Sequence, residues 1–519
     1  MIALASLGHT VSGAATALAV LVAVWWQRRR RRGDPHLGPR AAALGSLAVM
    51  ADDPWVAVAA VAVGTALMVE SMLRSVAGPE LVPRQLPGIS SRAGVRAEDP
   101  VFDASCVVLG VMALTAAGLL PGAVSTIIAI VILGLASIWA AVELVRWRRG
   151  ELPKAVQAAL TEYAPRFMVY FSGTPLGAYQ IRMWLPYLER TGERYALLIR
   201  EEEFLETAVT LTNSPVVFVR SVEAMERVMV STVGAVFYVN NEAKNANCVR
   251  FRGMRHVHLG HGDSDKPASY SPTTAMFDLI FVAGQAGADR FAAHGVLIPP
   301  EKFVKVGRPQ LEQVHVRSEG DPSPERRTVL YAPTWRGGLA DMGFGSLRIG
   351  AGIVQALLER GLRVVFRPHP YSSRDAESRV LISRIDTLLT ADAHGGHLTS
   401  ADASGLSIFE CMNASDAMVT DVSSVASDYL YSRKPFAMTD MGVAEGDLAR
   451  EYPVVRAAYI LHHRADPGTV LAEMLGGDPL AGVRDEVRDY YLGEWPAQGY
   501  SDIFVEASRD AIEGPAPVL

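Results

Sequence analysis

The feature that most constrains this 519-residue sequence is a change of pattern near residue 150. Before it, apolar stretches run long enough to be continuous helices. After it, short β-branched runs alternate with amphipathic segments. No single packing scheme serves both patterns, so the chain must contain at least two different units. Residues 3–26 hold no formal charge apart from a protonated His9, which is enough to cross a hydrocarbon layer of about 30 Å at about 1.5 Å per residue. Trp25 and Trp26 close the stretch and Arg28 to Arg32 follow it, whereas a signal peptide carries its positive charge in front. Residues 104–120 and 123–142 are two further apolar stretches, divided by Leu120-Pro121-Gly122 and followed by Arg146, Arg148 and Arg149. Between these lie 54–70 and a shorter run at 41–50, with Asp52-Asp53 between them.

These patterns predict a helical transmembrane domain over 1–150. Arginine clusters face the cytoplasm, so the chain must leave and re-enter an even number of times between them. Four or five membrane segments satisfy this, with the N-terminus outside and the body at the cytoplasmic face of the cell membrane. Residues 41–50 then form a short span or re-entrant segment; an interfacial helix is the alternative. Half of all residues are hydrophobic, which excludes a disordered chain. Charges every few residues beyond 150 exclude a wholly membrane-embedded one. Residues 1–150 hold 13 arginines, no lysine and nine acidic residues, so the acidic excess behind the net charge of −6 lies entirely in the body. Nothing in that balance predicts nucleic-acid binding. Cys106, Cys248 and Cys411 form neither a disulfide framework nor a zinc spacing, consistent with a reducing compartment.

The body predicts an α/β fold. Strands are expected at 167–171, 195–200, 216–220, 235–239, 256–259, 279–283 and 303–306, with helices such as 177–191 and 221–230 between them. A polar linker at 315–327 leads to a second series, with strands at 328–333, 362–366, 416–420 and 436–438. Helices are expected there at 348–360, 374–390, 404–414 and 424–432. Alternation of this kind makes a parallel sheet covered on both faces. The expected architecture is a GT-B-like pair of Rossmann-type domains, 165–314 and 328–483, with a helical segment over 484–519. The cleft beyond the strands' carboxyl ends would suit a nucleotide-linked donor.

Three polar clusters fall at expected strand ends. In the first, His256 to Lys266, His261 stands between two glycines, and its ordinary pKa of about 6.5 suits a general base. A turn histidine bonded only locally is the alternative. Three histidines in six residues also raise the question of metal, but the spacing matches no standard zinc site. In the second, Arg367-Pro368-His369-Pro370, two prolines stiffen a turn that offers a cation and an imidazole to phosphate oxygens. In the third, Thr420-Asp421-Val422-Ser423-Ser424, two hydroxyls open a helix, as an anion site or simply as a cap. A GxxxxGK[ST] phosphate loop is absent from the sequence.

In this order, the clusters resemble the CDP-glycerol glycerophosphotransferases that build teichoic acid and related poly(alditol phosphate) chains, over about 165–515. His261-Gly262-Asp263-Ser264-Asp265-Lys266 is similar to the family's His-Gly-Thr-x-x-Lys. Tyr331 to Arg336 match its Tyr-Ala-Pro-Thr-Trp-Arg, and Arg367-Pro368-His369 its Arg-Pro-His. Asp421-Val422-Ser423-Ser424 resembles its Asp-Tyr-Ser-Ser, with Asp428 and Lys434-Pro435 in register. The resemblance implies a CDP-alditol donor, transfer of an alditol phosphate to a lipid-linked or polymer acceptor, release of CMP, and no cofactor or metal. It implies that His261 deprotonates the acceptor hydroxyl, with Asp263 and Lys266 beside it. It further implies that His369, Ser423 and Ser424 hold the donor pyrophosphate, with Asp421 and Asp428 on the same side. Arg336 and Arg367 join them on charge and position. Departures are Asp263 for Thr, Val422 for Tyr, Gly307-Arg308-Pro309-Gln310 for a Gly-x-Pro-Arg segment, and an integral membrane head. A nucleotide-sugar glycosyltransferase on the same fold and a catalytically inactive scaffold are the competing readings.

Overall fold

The computed structural model describes residues 54–76, 80–90, 99–116, 119–148, 151–318, 324–335, 343–442, 451–494 and 499–514. The expected segments 3–26 and 41–50, and Arg336, lie outside them. The chain divides into two compact units, Met1–Ala164 with Leu198–Val230, and Pro165–Leu197 with Ser231–Leu519.

The first unit holds α1 (Pro54–Val76), α2 (Asp99–Ala116), α3 (Gly122–Arg148) and α4 (Glu151–Tyr163). The break expected at Leu120-Pro121-Gly122 separates α2 from α3. Ala59, Val63 and Leu67 of α1 pack with Val108, Leu109 and Met112 of α2 and with Ala129, Leu133, Ala136 and Ala140 of α3. Many of these side chains are small, which lets helix backbones approach closely. Buried hydroxyls donate to main-chain carbonyls: Thr126 Oγ1 reaches across to the Trp55 carbonyl of α1 at 2.7 Å, and Ser125 and Ser105 donate within their own helices to the Gly122 and Phe102 carbonyls. On the outer side of α3, Ile127, Ile130, Val131, Leu135 and Ile138 are exposed. Among the described residues one helix, α3 over Gly122–Val142, is long and apolar enough to cross a membrane; Val58–Met68 and Val101–Thr115 are shorter apolar segments.

Strands follow in chain order: β1 (Leu81–Arg84), β2 (Phe167–Phe171), β3 (Tyr195–Ile199), β4 (Val216–Val219), β5 (Ala235–Tyr238), β6 (Arg255–His258), β7 (Leu279–Val282), β8 (Phe303–Lys305), β9 (Thr328–Ala332), β10 (Arg363–Phe366), β11 (Ala417–Thr420), β12 (Phe436–Asp440) and β13 (Tyr459–His462). In the first unit β1, which the sequence reading did not anticipate, pairs antiparallel with β4, Leu81 opposite Val219.

The second unit contains two parallel arrays. One runs β2-β5-β6-β7-β8, with Phe167 opposite Ala235, Val236 opposite His256 and His258 opposite Ile280. The other runs β10-β9-β11-β12-β13, with Val364 opposite Val329, Met418 opposite Leu330 and Met438 opposite Ile460. Every residue of β2, β5, β9 and β11 is buried, as expected where both faces are covered. In the second array the strand order reverses at β9, so the crevice at the carboxyl ends of β9 and β11 is its topological switch point.

Two expected helices are divided. The run 177–191 becomes Ala178–Arg182 and Leu185–Glu189, with Pro186 at the start of the second. The run 404–414 becomes Ser400–Ser404 and Ile408–Asn413, because capping boxes at Thr399/Asp402 and Ser407/Glu410 start a helix twice. The helices Ala481–Leu492 and Asp502–Glu513 carry the chain back over the first array, where Phe504 stacks on Trp184 at 5.1 Å. Gly234 has no room for a Cβ against the Ile512 carbonyl.

Candidate active site

The loops leaving the carboxyl ends of β2, β6, β9, β10 and β11 supply the polar groups. Beyond β6 the chain turns through Gly260 at φ +64°, a left-handed conformation that suits glycine, and delivers His261. Trp184 Nε1 donates to the Gly260 carbonyl at 2.7 Å, and Arg308 donates to the His261 carbonyl at 3.3 Å. The Val239 carbonyl beside the His261 ring favours its protonated form, against the effect of burial. When neutral, the ring keeps a lone pair on one of its two nitrogens.

The second histidine has a fixed tautomer. His369 stands in the stiff turn after β10, where its N–H donates to the Pro333 carbonyl at 3.1 Å. Its Nδ1 accepts the Tyr371 backbone N–H at 3.1 Å, which leaves Nε2–H as a donor. Tyr179, in the short helix Ala178–Arg182 after β2, sets its ring edge-on to both, 6.1 Å from His261 and 6.1 Å from His369. Trp335, which follows β9 in the same array as His369, stacks on its ring.

Both imidazoles are neutral at pH 7. Burial, then Arg308, lowers His261 to about 4. Burial, then Lys266, His261, Arg367 and Arg374, lowers His369 to about 3. Burial is also what raises the Tyr179 phenol to about 12.

Several expected site residues join this cluster. Lys266 Nζ crosses to the second array, donating to Thr334 Oγ1 at 3.0 Å above the Phe344 ring. Arg367 is half-buried and has no carboxylate partner among the described residues; burial lowers its pKa, with the Cys411 thiol beside it. Ser423 precedes the helix Ser424–Tyr429, and its Oγ is buried with no partner among the described residues. Ser424 packs directly on Gly262.

The expected carboxylates are engaged by protein groups. Asp421 accepts from the Thr334 N–H at 2.7 Å, the Ser346 N–H at 3.1 Å and the Thr439 hydroxyl at 2.6 Å. Asp428 takes a bidentate pair from Arg308 at 2.9 and 3.3 Å. Asp263 pairs with Arg290, which also holds Asp265. Burial raises the pKa of Asp421 and Asp428, which their partners oppose. His256 and His258 are buried on β6 itself, bonded to Tyr238 and Asn241.

Sequence reasoning did not single out Tyr179, Arg290, Arg308, Trp335 or Tyr371 as site residues. Trp335 lies inside a segment that carried the resemblance, Arg308 in one that departs from the family pattern, and Tyr371 follows the second cluster directly. Tyr179 left no signal, because it lies in a stretch read as one continuous helix.

A lone pair on one imidazole, an N–H on another, an unneutralised guanidinium and an unpartnered hydroxyl can together take a proton from one group and steady negative charge on another. Two parallel α/β arrays meeting at such a site form a GT-B-like arrangement. Residues 303–473, about a third of the chain, match the family described as CDP-Glycerol:Poly(glycerophosphate) glycerophosphotransferase. The chain is thus a CDP-glycerol glycerophosphotransferase-like enzyme.

Among solved structures, the wall teichoic acid polymerase TagF is similar at 13% identity and a TM-score of 0.47, over 72% of this chain and 96% of that one. A putative UDP-N-acetylglucosamine 2-epimerase from Listeria monocytogenes is similar at 12% identity and 0.43, over 67% and 96%. Acinetobacter baumannii MurG is similar at 11% identity and 0.42, over 67% and 100%. No match is found among curated proteins.

Proposed function

We propose that the chain moves glycerol phosphate, or a related alditol phosphate, from a CDP-linked donor to a hydroxyl of a lipid-linked or polymer acceptor, releasing CMP, in synthesis of a teichoic acid-like wall polymer. The observation that carries this reading is a pair of buried imidazoles, His261 and His369, that both meet the Tyr179 ring, with His369 fixed as an Nε2–H donor. In the proposed reaction the free nitrogen of His261 takes the acceptor proton. The acceptor oxygen attacks the phosphorus that bears the alditol, and the bond from that phosphorus to the bridging oxygen breaks. The electron pair leaves with CMP. His369 Nε2–H, Arg367, Lys266 and the Ser423 and Ser424 hydroxyls surround the oxygens on which charge develops. Arg336 is a further candidate on the donor side. Asp421 and Asp428 shape the donor half through the groups they bind, and Asp263 acts on the acceptor side.

We further propose that residues 1–150 form a multi-pass membrane head that holds the body at the cytoplasmic face, where a lipid-borne acceptor and a soluble nucleotide donor meet. The apolar outer side of α3 and the arginine clusters at 28–32 and 146–149 support this. The test is CMP release by the full chain in lipid nanodiscs, with CDP-glycerol or CDP-ribitol and a lipid-linked acceptor. His261→Asn and His369→Gln should each lower kcat by about 10²-fold or more. No CMP from any such pair, or His261→Asn equal to wild type, overturns the reading; preferred binding of a UDP-sugar moves it to glycosyl transfer.

A further inference from the structure

The loop that carries His261 is fastened along its length from Gly260 to Lys266, and its anchors come from different parts of the second unit. From the first array and its connections, Trp184 holds the Gly260 carbonyl and Arg308 the His261 carbonyl. Arg290, on the helix Gln285–Ala293, grips the carboxylates of both Asp263 and Asp265. From the second array, Ser424 packs on Gly262, the Ser427 hydroxyl donates to the Asp263 carbonyl, and Thr334 accepts from Lys266. Tyr491, on the returning helix Ala481–Leu492, donates to Asp265.

We propose that Arg290 and Ser427 are positioning residues that hold the His261 loop from its two sides. Arg290 grips the loop's side chains from the acceptor half, and Ser427 grips its main chain from the donor half. Two observations carry this. First, Arg290 is 7% exposed and binds two carboxylates two residues apart, so its guanidinium fixes the direction of the chain through Ser264. A buried cation shared by two anions holds a single geometry, because moving either anion leaves an uncompensated charge. Second, Ser427 is 2% exposed on the second turn of the helix that Ser423 caps, so its reach to Asp263 depends on the two halves being closed. The His261 lone pair is therefore set in place by closure: separating the halves releases Ser427, Ser424 and Thr334 from the loop together, while Arg290 stays with it. Asp263, where the resembling family has Thr, makes the Arg290 grip two-sided in this chain.

The proposal rests on the reading of His261 as the acceptor base. Its test uses the full chain in nanodiscs with CDP-glycerol and the lipid-linked acceptor, and follows the His261 ring by NMR of histidine-labelled protein, with the signal identified by its loss in His261→Asn. Ser427→Ala removes one hydroxyl. It should lower kcat about tenfold, leave KM for CDP-glycerol within twofold, and shift the His261 titration, while Ser427→Thr restores all three. Asp263→Asn, which keeps shape and removes charge, should shift the same titration and lower kcat in the same way. Unchanged kcat and an unchanged His261 titration in both variants would overturn the proposal. If wild type releases no CMP, the functional reading fails instead, and the His261 titration in the two variants still decides whether these residues position the ring.

Discussion

Replacing Gly262 by alanine probes how closely the two halves meet beside the proposed base. An added Cβ would lie 2.6 Å from the Ser424 Oγ and 2.7 Å from its Cβ. The hydroxyl can rotate away, but the Cβ is fixed to the first turn of the helix Ser424–Tyr429. Ordinary contact begins near 3.4 Å, so the loop or the helix must retreat by about 0.7 Å, the difference between 3.4 and 2.7. Overpacking of this kind costs about 1–3 kcal/mol. A shift approaching 1 Å at reacting groups costs on the order of 10²-fold in rate. Gly262→Ala should therefore lower kcat roughly 10–100-fold and Tm by a few degrees. Steady-state CMP release and thermal unfolding in nanodiscs measure the two. Gly262→Ala with Ser424→Gly removes the clashing atoms, so Tm should recover while the contribution of the Ser424 hydroxyl stays lost. Wild-type kcat and Tm in Gly262→Ala would show that the halves do not meet tightly there, and the steric reasoning would fail.

Further expectations concern charge and lipid. Asp428→Asn leaves the Arg308 guanidinium, 3% exposed, without its carboxylate, and should destabilise the body by about 3–5 kcal/mol; a change below about 1 kcal/mol in chemical denaturation contradicts a structural pair. His261 and His369, held near 4 and 3, should keep neutral ring signals from pH 8 down to about 5. Because these folded values lie below the unfolded value of about 6.5, their contribution to stability is full above pH 6.5 and is lost as pH falls from there toward 4. Bound CDP-glycerol brings phosphate charge and should raise both titrations, which NMR checks directly. Val131→Arg, on the outer side of α3 and 53% exposed, should cost about 2.5–3.5 kcal/mol of membrane insertion. The readout is the carbonate-resistant membrane fraction, and an unchanged fraction refutes a lipid-facing position.

Much of the body was legible because parallel strands buried on both faces read as short apolar runs. Each of the eleven expected strands is present within a residue or two. Two strands escaped. β1 includes Pro83 and pairs with β4 across more than a hundred residues of sequence, and β13 is a four-residue run with no alternation. The helices were less legible where a proline or a capping box overrode apolar periodicity, as at Pro186 and Ser407.

By itself, the sequence determined which chemistry was on offer: histidines beside glycines and prolines, hydroxyls at a helix start, and cations at strand ends. Composition and periodicity carry that, because they depend on residue type and local spacing. Only the tertiary structure decided which groups remain available. Asp421, Asp428 and Asp263 look alike in sequence to ligand-binding carboxylates, yet each is taken by Thr334, Arg308 or Arg290 at distant positions. The neutral state of His261 and His369 was likewise invisible, since it follows from burial beside Arg308 and Lys266. A buried charge or ring nitrogen takes its state from whichever partner the fold sets against it. That partner is fixed by the packing of two arrays and a returning C-terminal segment, not by neighbours in the chain.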